Sequence, residues 1–361
     1  MRASIERATL WDPAPRHVGV FRALQLGDLL CAVPAFRSLR VFLPHARITL
    51  IGLPWARDFV NRFRHYVDDF LEFPGFPGFP EHEASLEALL QFFAEARERR
   101  FDVALQLHGS GEFSNPLTKL MGAKQCAGFR VENAEAPVGP YYVVWPDDVP
   151  EVLRPLRLLQ ALGVPLQGTD LELPVSAQEW AQWRNIAERR RLSPSRYICI
   201  HPGARMLSRR WPLERFAAVG RALADDGWRV AVTGAKEEAE LAAGLADAIG
   251  PGALSIAGET SLGALAAAVH DSALLICNDT GVSHVAAAMR ARSVVIASGS
   301  DVGRWSPLDR ERHRVLAHDV PCRPCAHFAC PIGHPCALGV TVEDVTAAAR
   351  QLLQRTLRRA A

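Results

Sequence analysis

The sequence lacks a strong charge of one sign, a long apolar run and an apolar leader. The chain has 41 basic and 39 acidic side chains, so its net charge is +2. A general nucleic-acid binder usually has a strongly basic surface. No stretch reaches the apolar length of a transmembrane helix. The opening MRASIERATLWDP carries Glu6 and Asp12 instead of the apolar core of a signal peptide. We therefore expect a cytoplasmic protein that binds no nucleic acid.

The length of the chain points to two domains. Of its 361 residues, 49% are apolar and 22% are charged, an ordinary composition for a globular protein with sizeable cores. In a reducing compartment its eight cysteines are expected to be free thiols or metal ligands and not disulfides.

Short β-branched runs alternate with glycine-bearing turns and helical patterns along the chain. A first series contains HVGVFRAL, ARITLIGL and FDVALQLH, and a second contains YICIHPGA, WRVAVTGA and ALLICND, with the break around Leu171 to Ser176. In these strands polar and apolar residues do not alternate, and each strand is followed by a helix. This pattern predicts parallel sheets covered by helices on both faces. We expect an α/β fold of two doubly wound domains, with ligands at the carboxyl ends of the strands and in the cleft between the domains.

One strand end, in CNDTGVSHVAAA, carries the side chains typical of an anion site. Asp279, Thr280 and Gly281 end the strand and lead at once into a helix that contains His284. The N–H groups and the dipole at a helix start suit a phosphate. The alternative is that Asp279 or Thr280 simply caps this helix.

The first strand ends in LQLGDLL, which places Asp28 at the start of a helix. Asp28 either caps that helix or projects as a general base. A helix N-terminus keeps a carboxylate ionised, which is the form that a base needs.

Further along, the loop EFPGFPGFPEH interleaves Phe73, Phe76 and Phe79 with proline and glycine, and these aromatics either pack on the surface or flank an acceptor site.

Two more strand ends lie in the second series. HPGARMLSRRWP holds Arg205, Arg209 and Arg210, which fit a phosphate clamp because guanidinium groups bind phosphate oxygens bidentately; ordinary surface arginines are the alternative. TGAKEE places Glu238 in a first helical turn, either to hold ribose hydroxyls or to complement the helix dipole.

Four of the eight cysteines crowd into one segment with the spacing C-x2-C-x4-C-x5-C. They are Cys322, Cys325, Cys330 and Cys336, with His327 and His334 among them. One interpretation is a structural zinc or iron ligand set, and the other is a compact proline-rich loop with reduced thiols.

Five segments in order along nearly the whole chain resemble glycosyltransferase family 9, the ADP-heptose:lipopolysaccharide heptosyltransferases. They are FRALQLGDLLCAVPAFRSLR, HPGARMLSRRWPLERFA, NDTGVSHVAAAMRARSVVIASG, SDVGRWSPLD and PCRPCAHFACPIGHPC. The resemblance implies a GT-B fold, in which a Rossmann-like domain of residues 1–173 binds the acceptor and one of residues 174–361 binds the nucleotide sugar. It implies an inverting transfer that needs no metal for its chemistry.

The resemblance also assigns roles to single residues. Asp28 takes the position of the catalytic base, and Arg209 stands where the family often has a lysine facing the leaving diphosphate. Arg209 keeps the charge of lysine but not its geometry, because a guanidinium is a planar fork. The residues expected to bind the nucleotide sugar are Arg205, Glu238, Thr260, Asp279, Thr280, Gly281 and His284.

The resemblance makes ADP-heptose the expected donor and a lipopolysaccharide core or another cell-surface glycan the expected acceptor. A protein or a small molecule is the alternative acceptor, and an epimerase, a hydrolase or a non-catalytic nucleotide-sugar-binding protein is an alternative function. The basic stretches EARERR and RTLRR allow a position at the inner face of the membrane, although solvated helix faces explain them equally.

The C-terminal helix, VEDVTAAARQLLQRTLRRA, commonly returns to the N-terminal domain in a GT-B fold. Val345, Ala349, Leu352 and Leu353 recur at helical spacing and form either this docking face or, in the plain alternative, a face that covers only the helix's own domain.

Overall fold

A computed structural model describes residues 10–77, 79, 84–133 and 139–360 of the chain, with side chains as far as residue 354 in the last helix. The chain divides into two compact units, Met1–Asp170 and Leu171–Ala361, close to the boundary that we expected after residue 173. The N-terminal segment with Glu6 and the side chains of RTLRR lie outside the described residues.

The first unit is a six-stranded parallel sheet flanked by helices. Its strands are β1 (His17–Phe21), β2 (Arg47–Gly52), β3 (Asp69–Glu72), β4 (Val103–Gln106), β5 (Gln125–Arg130) and β6 (Tyr142–Val144), in the order β3-β2-β1-β4-β5-β6. Its helices are α1 (Leu26–Phe42), α2 (Ala56–Arg62), α3 (Leu86–Glu98), α4 (Ser114–Leu120) and α5 (Leu153–Ala161).

The second unit repeats this architecture. Its strands are β7 (Tyr197–His201), β8 (Arg229–Val232), β9 (Ala253–Ser255), β10 (Leu274–Asn278), β11 (Ser293–Ile296) and β12 (His313–Leu316), in the order β12-β11-β10-β7-β8-β9. Its helices are α6 (Ala177–Arg190), α7 (Leu213–Asp225), α8 (Ala239–Ile249), α9 (Leu262–Asp271), α10 (Gly281–Ala288), α11 (Val302–Trp305), α12 (Pro335–Leu338) and α13 (Val342–Ala360).

The predicted α/β fold is confirmed, and each sheet has one point where the strand order reverses. In the first unit this switch point lies between β1 and β4, and in the second it lies between β7 and β10. In open α/β sheets, ligands bind outside the carboxyl ends of the strands at such points. The search for a site therefore narrows to residues that follow these four strands.

Strand β7 shows why the strands of this chain carry no polar alternation. Ile198 and Ile200 point into one core, while Tyr197 and Cys199 point into a second core on the opposite face. Since successive side chains of a strand point to opposite faces, a sheet covered by helices on both sides needs apolar residues throughout.

The apolar face of helix α13 packs on a different unit from the one that we expected. Val345, Ala349, Leu352 and Leu353 are all buried in the core that contains Ile198 and Ile200 of the second unit. The apolar face that we expected to dock on the N-terminal domain thus covers the sheet of its own unit.

Among the described residues, no helix is both long enough and apolar enough to cross a membrane.

Candidate active site

Arg22, which directly follows β1, organises the switch point of the first sheet. Its guanidinium donates to the carbonyl oxygens of Asp28 (2.9 Å) and Leu107 (2.6 Å) and to Oε1 of Glu151 (2.9 Å). The side chains of Arg22 and Glu151 are each only 2% exposed. A single buried cation therefore ties the start of α1 to the end of β4.

Glu151 serves a second arginine as well. Arg154 donates to Oε2 of Glu151 (3.2 Å) and to the carbonyl oxygen of Asp147 (2.9 Å), and its guanidinium lies over the ring of Trp145. Glu151 thus forms ion pairs with two buried guanidinium groups. A charge buried this deeply is tolerated only when it is paired and hydrogen-bonded.

Asp28 lies in the first turn of α1 but is not its N-cap residue. The N-cap position belongs to Gln25, whose side chain makes no capping hydrogen bond. Asp28 is the third helical residue, where the helix dipole favours its ionised form. This position removes N-capping as the explanation for Asp28 and leaves its proposed role as a base open.

His108 follows β4 at the same switch point, and no sequence motif singled it out. Its ring is stacked between Phe21 and Phe79, with centroid distances of 5.2 and 4.8 Å, and its Nδ1 accepts the backbone N–H of Ala23 at 3.2 Å. Burial and the charge of Arg22 lower the pKa of His108 to about 3.

The aromatic residues of the EFPGFPGFPEH loop help to form this surrounding. Phe73 and Phe79 lie in the core of the first unit, and Phe76 packs against that core. Phe79 is thus both a core residue and a ring that stacks on His108, and the flanking of an acceptor site by this loop stays a prediction. Residues 78 and 80–82 of this loop lie outside the described residues.

Asn278, the last residue of β10, joins the two loops at the switch point of the second sheet. It is buried, its Oδ1 accepts the backbone N–H of Trp211 (2.9 Å), and its Nδ2 donates to the carbonyl oxygen of Pro202 (2.7 Å). The loop after β7 is thereby fixed against the end of β10. We did not identify Asn278 from the sequence, where an amide at a strand end has no distinctive pattern.

Asp279 and Thr280 follow Asn278, and neither caps α10 in the way that the alternative interpretation required. Thr280 occupies the N-cap position, yet its side chain makes no capping hydrogen bond. Burial raises the pKa of Asp279, against the opposing effects of the Ser300 hydroxyl, His284 and Arg209. His284 is buried one turn into α10.

Arg209, one arginine of the predicted clamp, interacts electrostatically with Asp279. The Asp279 carboxylate opposes the lowering of the Arg209 pKa that burial causes, and the Arg209 guanidinium donates to the carbonyl oxygen of Cys325 at 3.1 Å. Arg210 instead turns back to the carbonyl oxygen of Ala204 (2.8 Å), and Arg205 is exposed. An arginine stays protonated in proteins, so Arg209 brings a permanent positive charge to this edge.

The cysteine-rich segment packs against the loop that carries Arg209. Ser208 donates through its backbone to the carbonyl oxygen of Phe328 (2.9 Å) and through its hydroxyl to that of His327 (2.6 Å), and its own carbonyl oxygen lies 2.9 Å from Nε2 of His334. The cysteines are free thiols. No group of three or more possible metal ligands occurs within the described part of the chain, which includes all four cysteines.

Glu238 lies against the loop that follows β7. Its Oε2 accepts the backbone N–H of Ala235 (2.9 Å) and lies 3.9 Å from Nε2 of His201. A Cβ atom at Gly203 would sit 1.9 Å from Oε1 of Glu238, so only glycine permits this approach. Glu238 therefore satisfies a helix start, as the plain interpretation has it, and also faces the end of a central strand.

Thr260 is the expected site residue that the structure connects least with the others. It lies between β9 and Ser261, the N-cap residue of α9. β9 is the outermost strand on its side of the sheet. Within the described residues, no hydrogen bond of the Thr260 side chain reaches the residues after β7 or β10.

Comparison with known proteins identifies a family and a fold. The model of the family described as glycosyltransferase family 9 (heptosyltransferase) matches residues 89–335. No curated protein matches the chain.

Several solved structures are similar in fold. The glycosyl transferase family 9 structure from Veillonella parvula DSM 2008 has a TM-score of 0.79 at 20% identity, covering 94% of this chain and 98% of that one. The ADP-heptose lps heptosyltransferase II of E. coli has a TM-score of 0.72 at 21% identity, covering 96% and 100%. The E. coli heptosyltransferase WaaC with ADP has a TM-score of 0.64 at 16% identity, covering 93% and 97%. These matches confirm the predicted fold class, two Rossmann-like units of the GT-B type.

Proposed function

We propose a specific reaction for this chain from the premise that it belongs to glycosyltransferase family 9 and is a glycosyltransferase. The reaction is an inverting transfer of heptose from ADP-heptose to a hydroxyl of a lipopolysaccharide core or another cell-surface glycan. The observation that carries the proposal is the position of Arg209 beside Asp279, at the start of α10 and at the switch point of the second sheet. The family description and the names of the similar structures support heptose and ADP.

In the first unit, the proposed reaction begins at Asp28. Its carboxylate removes the proton from the attacking hydroxyl of the acceptor as that oxygen forms a bond to the anomeric carbon of the donor. The bond between the anomeric carbon and the diphosphate oxygen breaks as the new bond forms, so the anomeric configuration inverts. Arg22 supports this step indirectly, because it holds the backbone of Asp28 at the end of β1.

In the second unit, the proposal assigns the diphosphate to the edge formed by β7 and β10. Arg209 and the N–H groups at Thr280 and Gly281 stabilise the charge that builds on the leaving diphosphate. Asp279 and His284 orient these groups, while Arg205 contributes long-range positive charge. Glu238 accepts hydrogen bonds from the ribose hydroxyls, with Thr260 at the edge of the same pocket. No metal takes part in the transfer that we propose.

Removal of the Arg209 charge tests the leaving-group assignment. We expect Arg209→Gln to lower kcat by about 10²–10³-fold, the usual cost of losing one preorganised group that stabilises developing charge. Arg209→Lys should recover part of this loss, because it restores the charge without the planar fork. Steady-state kinetics with ADP-heptose would measure both variants. Equal kcat values for wild type and Arg209→Gln would contradict the assignment.

Gly203 offers a test of Glu238 that leaves the carboxylate in the chain. In Gly203→Ala, the new Cβ would clash with Oε1 of Glu238 and push the carboxylate away. We expect the donor to bind about 10–100-fold more weakly, which is the value of a lost hydrogen bond to a charged group. Gly244→Ala in α8 is the matched control, since its Cβ meets no atom within 4 Å. Calorimetric titration with ADP would measure both, and equal affinities would exclude Glu238 from nucleoside binding.

The donor itself can be identified without an acceptor. A ligand that binds only the folded state raises the unfolding temperature by mass action. We expect ADP-heptose to raise it more than UDP-glucose or GDP-mannose does. Consumption of ADP-heptose without any acceptor would favour a hydrolase or an epimerase, and tight binding without turnover would favour a non-catalytic nucleotide-sugar-binding protein.

A position at the inner face of the membrane remains part of the proposal through RTLRR and the exposed Arg100. In the other basic stretch, EARERR, Arg99 is paired with Asp69 and Glu95, and Arg97 donates to the carbonyl oxygen of Leu120. These contacts occupy two of the arginines within the first unit. Sedimentation with anionic lipid vesicles, before and after removal of the RTLRR residues, tests the remaining part.

A further inference from the structure

His108 presents a hydrogen-bond donor whose direction is fixed by the fold. Its Nδ1 accepts the N–H of Ala23, so a neutral ring must carry its proton on Nε2. Burial and Arg22 lower the pKa of His108 to about 3, which keeps the ring neutral at every pH above about 4. Within the part of the chain that the structure describes, Nε2 has no hydrogen-bond partner.

The ring cannot turn this donor elsewhere. Phe21 and Phe79 lie on its two faces, inclined by only 12° and 21° to the imidazole plane. A 180° flip of the ring would keep both stacks but leave the N–H of Ala23 without its acceptor, and an intermediate rotation would break the stacks. The side chain is nevertheless only partly buried, so a ligand can approach it.

The position of His108 ties it to Asp28. The Arg22 side chain donates hydrogen bonds to the carbonyl oxygens of Asp28 and Leu107. The next residue, Ala23, donates its backbone N–H to His108. Both residues therefore stand at the switch point between β1 and β4, where an α/β sheet binds its ligand. Asp28 is a hydrogen-bond acceptor there, and His108 is a neutral donor.

We propose that His108 binds the acceptor saccharide by donating its Nε2–H to a sugar oxygen. This inference rests on the proposed function, because it assigns the acceptor to the edge of the sheet that carries Asp28. A neutral donor suits the uncharged hydroxyl and ring oxygens of a pyranose, which accept a hydrogen bond without bringing a charge.

Two variants separate the donor from the rest of the ring. In His108→Asn, the shorter amide can still accept the N–H of Ala23 but places no donor at the former Nε2 position. In His108→Gln, the longer amide brings an N–H close to that position. We expect His108→Asn to bind saccharide roughly threefold to tenfold more weakly, the value of one neutral hydrogen bond, and His108→Gln to recover part of the loss.

Saccharide binding can be measured by NMR on the full chain with 15N-labelled histidine, without any transfer reaction. The probes are the core oligosaccharide released from lipopolysaccharide by deacylation, and methyl α-D-mannopyranoside as a simple pyranoside. We expect a protonated Nε2 on His108 in the free protein and a shift of this signal on addition of the oligosaccharide. The His108→Asn spectrum assigns the signal, and its melting curve shows whether the variant is folded.

The possible results are distinct. A shift in the wild type together with weaker binding by folded His108→Asn supports the proposal, even if no sugar nucleotide is ever turned over. Unchanged binding in folded His108→Asn overturns it, as does the absence of any shift with either probe or a proton found on Nδ1. If transfer is observed, the KM for acceptor should rise in His108→Asn while the KM for ADP-heptose stays constant.

Discussion

Replacement of Asp28 by asparagine is expected to lower the rate of sugar transfer by about 10²–10⁴-fold, the range for loss of an aligned general base. Asparagine has nearly the same size but cannot take up the proton of the acceptor hydroxyl. The bond from Arg22 goes to the backbone carbonyl of residue 28 and not to the side chain, so it survives the substitution. We therefore expect unchanged donor affinity and a small fall in melting temperature from the lost interaction between the carboxylate and the helix dipole, with the main effect in kcat.

Asp58 provides a matched control for this prediction. It is the third residue of α2, as Asp28 is the third residue of α1, and both helices follow a strand of the first sheet. Asp58→Asn removes the same interaction between a carboxylate and a helix dipole, at a strand end away from the switch point. We expect it to leave kcat unchanged. If Asp28→Asn also transferred sugar at the wild-type rate, Asp28 would not be the base.

The sequence allowed the fold to be predicted because its signals are local. Alternating strand and helix patterns indicate parallel sheets, and polar residues at strand ends indicate the edge that binds ligand. Arg209 and Asp279 were singled out in this way, and in the structure the charge of each affects the pKa of the other. Periodicity also revealed the apolar face of α13, but a helical pattern does not say which sheet it covers.

The supporting contacts could not be predicted from the sequence because their partners are far apart along the chain. Arg22 and Glu151 are separated by 129 residues, and His108 meets Ala23 across 85. Neither contact has a spacing that repeats, so neither produces a motif. The one signal in the sequence was Arg22, which directly follows a buried strand. An unpaired charge is costly at such a position, so a partner from elsewhere in the chain is required.

Replacement of Glu151 by glutamine is expected to destabilise the first unit by about 3–5 kcal/mol, the range for removing one partner of a buried ion pair. Glutamine keeps the size of the side chain but removes the negative charge that pairs with Arg22 and Arg154. For a unit of this size each kcal/mol shifts the melting temperature by roughly 2–4 °C, so differential scanning calorimetry should resolve the change. The transition of the second unit should stay in place.

The exposed ion pair between Arg350 and Asp226 gives the contrasting case. Asp226→Asn removes the carboxylate charge of this pair. Because solvent already screens an ion pair at the surface, the melting temperature should stay almost unchanged. If Arg22, Glu151 and Arg154 are replaced together by Met, Leu and Met, much of the lost stability should return, because no buried charge then remains. Transfer should stay impaired in this triple variant, since nothing would hold the backbone of Asp28 to Leu107. A Glu151→Gln protein as stable as the wild type would show that water reaches the two guanidinium groups, and that the cluster does not anchor the switch point.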